Sequence, residues 1–377
     1  MKLSCLQENL SKGLGIVGRA VATRTTLPIT NNILLATDQG RLKLVATNLE
    51  IAIVSWIGAK VEKEGTITIP ARLFTEYVNS LKNDKIELSL PGSSKSVHIK
   101  CLKSEAHISG LDAEDFPPIP EVGDGVTTVI DAGDLSKAIA HVAFTAATED
   151  TRPVLTGVNA GFKGDKLTLA AADGFRLAVY NCNLGKAVEE EISVIIPART
   201  LNELNRLIAE QEEPVEVTIN QGKSQILFKL QSAQLVSQLI QGAFPNYSQL
   251  IPQKFDTRTV VDRIEFLGAV KTASIFARDG SGIVRIQISE GADLTPGKIM
   301  VSARAEEMGD NTGELDAVVA GQETKIAFNG KFLQEVLGVL STAQVAIETT
   351  TGSSPGVIRP IGDDRYIHVV MPMFVQW

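Results

Sequence analysis

The feature that most restricts the fold is a segment that recurs three times. Val194-Ile195-Ile196-Pro197-Ala198-Arg199 leads into a stretch with Leu201, Leu204 and Ile208 at i, i+3 and i+7. A β-branched run closed by proline predicts a strand that hands over to a helix, with Pro197 at the first turn. The apolar spacing gives that helix one buried stripe, while Arg199, Asn202 and Arg206 repeat the spacing on another face. Ile67-Thr68-Ile69-Pro70-Ala71-Arg72 opens the same pattern, with Phe74, Tyr77 and Leu81 as its stripe. Lys325-Ile326-Ala327-Phe328-Asn329-Gly330-Lys331 opens it again, with Leu333, Val336 and Leu340. Aligned on Arg72, Arg199 and Lys331, all three carry apolar residues at +2, +5 and +9, at offsets of 127 and 132 residues in a chain of 377. A period near one third of the chain is too long for a solenoid and suits whole domains.

The remaining patterning follows the same period. The first repeat covers residues 1–122, with a helix expected over Gln7–Val21 and strands at Ile33–Ala36, Leu42–Ala46, Ile51–Ile57, Ile86–Leu90, Ser96–Cys101 and Ala106–Ser109. The second covers 126–252. Its helix is expected over Asp134–Ala147, and its strands include Val158–Phe162, Leu167–Ala171, Arg176–Tyr180, Val215–Ile219, Gln225–Phe228 and Leu235–Leu239. The third covers 256–377, with a helix over Ile264–Ala277, strands at Val284–Ile288, Ile299–Ala303, Gln344–Glu348 and Gly356–Pro360, and a last strand from Ile367. The expected fold class is α+β: three tandem similar domains, each of two helices with largely antiparallel sheets.

Composition narrows the setting. A hydrophobic content of 44% allows an ample core, and no run reaches the ~18 apolar residues of a membrane span. Met1-Lys2-Leu3-Ser4-Cys5 lacks a signal-peptide pattern. Cys5, Cys101 and Cys182 are far apart and suggest buried free thiols in a cytoplasmic protein. The net charge of −8 by itself argues against a surface coated for nucleic acid. Its distribution argues otherwise: the six helical stretches together carry +3, which leaves −11 for strands and loops. Helices that shared one surface would attract phosphate there while the rest of the molecule repelled it.

Few motifs point to catalysis. Gly13-Leu14-Gly15-Ile16-Val17-Gly18 matches GxGxxG with Asp38 twenty residues on, the basis of an alternative reading as a dinucleotide-binding enzyme. That reading needs a strand before the glycines, where Leu6–Lys12 is helix-like. His98, His107, His141 and His368 are scattered without metal-ligand spacing, and Glu189-Glu190-Glu191 and Glu210–Glu213 have the character of solvated loops. No catalytic residue, metal or cofactor is expected. The apolar run Val369-Val370-Met371-Pro372-Met373-Phe374-Val375 fits either a buried last strand or an adaptable docking surface for short peptides. A second alternative is therefore an acidic, oligomeric peptide-binding adaptor that never meets DNA.

Taken together, Arg24 with Thr26-Leu27-Pro28-Ile29, Ile69-Pro70-Ala71-Arg72, Asp173-Gly174-Phe175-Arg176-Leu177, Phe244-Pro245-Asn246-Tyr247 and Val369-Val370-Met371-Pro372-Met373 resemble the bacterial replicative sliding clamp, the beta subunit of DNA polymerase III. The likeness runs through the whole chain in order. It implies a non-enzymatic DNA replication and processivity factor, a six-domain ring as a homodimer, with helices lining the hole. It implies double-stranded DNA as a sequence-independent partner of Arg24, Arg72 and Arg199, and a head-to-tail dimer interface at Ile108, Ile275 and Phe276. It also implies a pocket for short peptides of the polymerase III catalytic subunit, the clamp loader and other clamp-binding proteins. Its matched positions are Leu155, Gly174, Phe175, Arg176, Leu177, Pro245, Val370, Met371, Pro372 and Met373. Phe175 replaces a common histidine, Pro153 and Val154 stand where the family often carries tyrosines, and Phe374-Val375-Gln376-Trp377 extends the usual ending.

Overall fold

The computed structural model describes residues 1–377 except 24, 93–94, 150, 210, 278–281, 292–294 and 306–308. The three repeated segments form as expected: strands ending at Pro70, Pro197 and Asn329 run directly into helices α2 (Ala71–Ser80), α4 (Ala198–Leu207) and α6 (Gly330–Val339). Their apolar stripes are buried, fully so at Leu201, Leu204, Ile208, Leu333 and Val336. In α2 the stripe shifts by one position: Phe74 and Val78 reach the core and Tyr77 is half-buried. Each repeat opens with a further helix, α1 (Gln7–Val17), α3 (Ala132–Val142) and α5 (Arg263–Ala277). The first stops short of the expected Val21 because Gly18, a poor helix former, begins a short 3₁₀ turn. Every strand pairing named below is antiparallel.

The described residues fall into two compact units, Met1–Gly133 with Glu203–Leu239, and Asp134–Asn202 with Ile240–Trp377. The first unit holds a five-stranded sheet in the order 60–63, 2–6, 85–89, 96–101, 104–109. Its eight-stranded sheet runs 125–130, 215–220, 225–229, 233–238, 51–58, 41–47, 32–38, 66–70. Helix α1 packs Leu10, Leu14 and Val17 over the strands 41–47 and 51–58. The second unit carries ten strands in series: 157–172, 176–197, 366–370, 356–360, 344–349, 257–262, 309–321, 297–305, 283–289, 324–329. Helix α5 lies on the strands 297–305 and 309–321 and against α6.

Five strands fall outside the sequence expectations: Lys2–Leu6, Gly125–Ile130, Thr257–Asp262, Lys60–Lys63 and Gly309–Gly321. The last two are rich in charged and small residues and largely exposed, so apolar alternation does not mark them. The strands expected at 158–162 and 167–171 are one strand, Gly157–Ala172. The strand from Arg176 continues to Pro197, and Glu189-Glu190-Glu191, expected as a loop, lies within it. Its side chains stay in solvent because the pairing with Gly157–Ala172 is irregular around Gly164.

One sheet junction occurs in both units. In the first, Ile51–Ser55 pairs with Ala233–Ser237, the last strand before the third repeat. In the second, Arg176–Tyr180 pairs with Tyr366–Val370, the last strand of the chain. The fourth-strand position of one repeat thus takes up the final strand of the next. By the same count the matching segments left over are Gly309–Ala317 and Ser104–Ser109. Among the described residues, the former pairs only with Gly297–Ala305 and the latter with Ser96–Cys101, so each keeps one unpaired edge.

Candidate functional site

The expected peptide-pocket residues all lie in the second unit. Asp173 turns the chain between its two long strands: its Oδ1 accepts the backbone N–H of Phe175 at 2.9 Å and of Arg176 at 3.0 Å. Gly174 adopts φ +96°, a conformation that other residues rarely take, which explains glycine here. Beyond the turn, Leu177 joins Ala170, Ala172, Val179, Val357 and Val369 in a buried apolar floor, with Tyr247 and Ile251 packed against it. Leu155 is buried on the short turn Pro153–Thr156, and its carbonyl accepts the N–H of Ala147 at 2.8 Å. Pro245 is exposed, beside the edge-on Phe244 and Tyr247 rings. Val370 is buried, and Met371 continues the ladder by donating its N–H to the Phe175 carbonyl at 2.8 Å. Pro372 is half-buried, and the Met373 N–H reaches the Ala327 carbonyl on strand Thr324–Asn329 at 2.8 Å.

The result is a buried apolar cluster with exposed apolar groups on the adjoining turn and on the tail that follows Val370. Phe175 is 62% exposed, Met371 44% and Phe374 87%, while Trp377 lies 5.9 Å from the Lys325 ammonium. Arg176, by contrast, is buried, with its guanidinium near the Phe144 and Phe332 rings. Beneath lies a titratable core. His368 is wholly buried; burial and then the nearby Arg176 cation lower its pKa to about 3, and Nδ1 meets the Tyr366 hydroxyl at 2.9 Å. Such a histidine is neutral at neutral pH and serves packing. Sequence reasoning named Asp173 and Tyr247 only within motifs and gave neither a place in the pocket, and it missed Ile251, Phe332 and Glu335 altogether. Their roles come from meetings between residues far apart in the chain, which no local pattern carries.

A second arrangement involves the helix starts. Arg72, Arg199 and Lys331 are each the second residue of α2, α4 and α6, and all three side chains are exposed. The positive end of a helix dipole favours acidic residues, and α1, α3 and α5 obey, with Glu8, Asp134 and Glu265 in their first turns. The second helix of every repeat departs from the rule: none has an acidic first turn, and each puts a cation there. Backbone N–H groups at a helix start already attract anions, and the added cation strengthens the attraction for phosphate. Glu76 and Glu335 lie one turn on, 2.8 Å from Arg72 and 3.9 Å from Lys331. Arg24 lies outside the described residues.

Family models for the DNA polymerase III beta subunit match the chain three times: the N-terminal domain at residues 1–120, the central domain at 129–246 and the C-terminal domain at 248–374. The chain belongs to the beta sliding clamp family. Members are the non-catalytic processivity subunits of DNA replication. The beta sliding clamp of Synechocystis sp. is 32% identical over 99% of both chains. A DNA polymerase sliding clamp from Bacillus subtilis superposes with a TM-score of 0.94 at 28% identity, and a Pseudomonas aeruginosa sliding clamp bound to griselimycin with 0.92 at 29%, each over 100% of both chains.

Membership in the clamp family excludes the dinucleotide enzyme, and the structure gives the reason. Gly13 and Gly15 lie inside α1, and Gly18 caps it, with no phosphate-binding turn after a strand. Gly13 is instead a packing glycine: a Cβ there would stand 2.7 Å from Leu44 Cδ1 and 2.9 Å from Ile57 Cγ2. Of the interface positions carried over from the clamp family, Ile275 is exposed and Phe276 half-buried on α5. Ile108 differs. Strand alternation turns it inward opposite Val97, so the segment Ser104–Ser109 presents its unpaired backbone edge and its polar side chains. No described helix is long and apolar enough to cross a membrane.

Proposed function

We propose that two copies of this chain close head to tail into a cytoplasmic six-domain ring around double-stranded DNA, with domains at 1–122, 126–252 and 256–377. The observation that carries the reading is the exposed cation at the second position of the second helix in all three repeats, against the helix dipole. A threefold departure from a local preference is accounted for when those positions face one polyanion. Arg72, Arg199, Lys331 and, by sequence, Arg24 make weak phosphate contacts independent of base sequence. Topology, rather than affinity, prevents escape, so weak contacts allow sliding.

The unpaired edges supply the closure. The junction formed by Ile51–Ser55 with Ala233–Ser237, and again by Arg176–Tyr180 with Tyr366–Val370, is completed when Gly309–Ala317 of one copy takes up Ser104–Ser109 of the other. Ile275 and Phe276 lie on α5, which packs on that strand. A contact that repeats an internal junction closes after two copies and leaves no free end. Leu155, the 174–177 turn, Pro245 and the 370–373 segment then receive the clamp-binding peptides of the polymerase III catalytic subunit, the clamp loader and other partners.

The test combines mass in solution with retention on circular DNA. A dimer that stays on nicked circular DNA after loader-driven loading, and runs off when the circle is cut, is the expected result. A peptide-binding protein that is never retained on the circle would instead be the DNA-independent adaptor, and a stable monomer would overturn the closure.

A further inference from the structure

Resting on the peptide site proposed above, we propose that Glu335 is a positioning residue for that site, although it belongs to a helix that no expected pocket residue occupies. Arg176, one of the matched pocket positions, has all three nitrogens of its guanidinium committed. Nε donates to Asp173 Oδ2 at 2.9 Å, Nη2 to the Phe144 carbonyl at 2.9 Å, and Nη1 to Glu335 Oε2. Its Cζ lies 5.3 Å from the Phe144 ring centre and 4.4 Å from that of Phe332. Its side chain is only 7% exposed. A guanidinium packed near two rings and bonded at every nitrogen is not available as a flexible contact for an incoming ligand. It serves as a strut.

The strut runs from α6 to the turn that shapes the pocket. Asp173, held by Arg176 Nε through one oxygen, accepts the N–H groups of Phe175 and Arg176 with the other. Phe175 in turn gives its carbonyl to the N–H of Met371. Glu335 is thus joined through Arg176 and the Asp173 turn to two exposed pocket residues without touching either. Asp173 is a local partner, three residues away, whereas Glu335 is 159 residues distant in sequence. It is the carboxylate that fixes where the guanidinium points relative to α6. The second Glu335 oxygen faces Lys331 at 3.9 Å, but that lysine is 76% exposed and is a weak competitor for the charge. A buried cation that loses its distant carboxylate is left under-compensated and gains by turning toward water. The Asp173 turn would move with it.

The experiment titrates the full-length protein with a fluorescein-labelled clamp-binding peptide of the cognate polymerase, read by anisotropy. Glu335→Ala is expected to weaken the peptide about tenfold, as when one partner of a buried charge pair is removed. Glu335→Gln, which keeps an acceptor oxygen without the charge, should fall between. Leu340→Ala is the control for general damage: it empties core space at the end of α6 without meeting Arg176, and should lower the melting temperature while leaving the peptide within about twofold. Amide exchange at Phe175 and Met371 should quicken in Glu335→Ala and not in Leu340→Ala. Equal affinities of wild type and Glu335→Ala, or an equal weakening in Leu340→Ala, would overturn the positioning role. Absence of binding by the wild type would instead remove the peptide-site reading itself.

Discussion

Arg72 offers the sharpest test of the proposed DNA-facing surface, because the structure pairs it with its own competitor. Its Nε donates to Glu76 Oε1 at 2.8 Å, and both side chains are largely in water, 91% and 63% exposed. A phosphate approaching Arg72 therefore also approaches a carboxylate one helical turn away. In water, a unit charge about 7 Å from a phosphate changes binding by about threefold. Glu76→Ala should accordingly tighten association with duplex DNA by about threefold for each copy of Arg72 engaged at low salt. Arg72→Ala should weaken it and lower the salt slope by roughly 0.9 for each phosphate that is no longer neutralised. The double change Arg72→Ala/Glu76→Ala should recover about threefold relative to Arg72→Ala, since the bare carboxylate is gone. Anisotropy of a labelled duplex across a salt series reads all three, with dimer mass checked alongside. An unaltered or weakened affinity in Glu76→Ala, or an unchanged salt slope in Arg72→Ala, would refute the placement of this helix start against DNA.

Further outcomes follow from packing and charge elsewhere. Removing Phe374–Trp377 should weaken partner peptides by about fivefold, the worth of burying part of one phenyl ring, in the same anisotropy assay; equal affinities with and without the tail would reject its contribution. Because burial holds His368 near pKa 3, the unfolded chain takes up its proton first, below about pH 6.5. Stability is then fully present above that pH and declines toward pH 3 at up to about 1.4 kcal/mol per pH unit, so urea midpoints should fall with acid more steeply than in His368→Phe. Gly13→Val should cost about 1–3 kcal/mol in urea unfolding through overpacking against Leu44 and Ile57, while calorimetry finds no dinucleotide binding in either protein. Burial pushes the Cys5 and Cys182 thiols up to about 12, and that of Cys101 upward as well, so a thiol-reactive dye should leave all three unlabelled until the protein unfolds.

The chain itself determined much of this. Apolar spacing at Leu201, Leu204 and Ile208, and its copies near 74 and 333, set the helices and the threefold period, since a buried stripe must recur at the helical repeat wherever it packs. The same alignment marked Arg72, Arg199 and Lys331. Only tertiary structure decided that Arg176 is a strut closed off by Glu335 and Phe332, that Gly13 is a packing glycine, and that Ile108 points inward from an edge strand with one side unpaired. Local sequence reports the period of burial, because neighbouring residues share it. It is silent on partners 159 residues apart, whose meeting depends on how sheets continue from one repeat into the next.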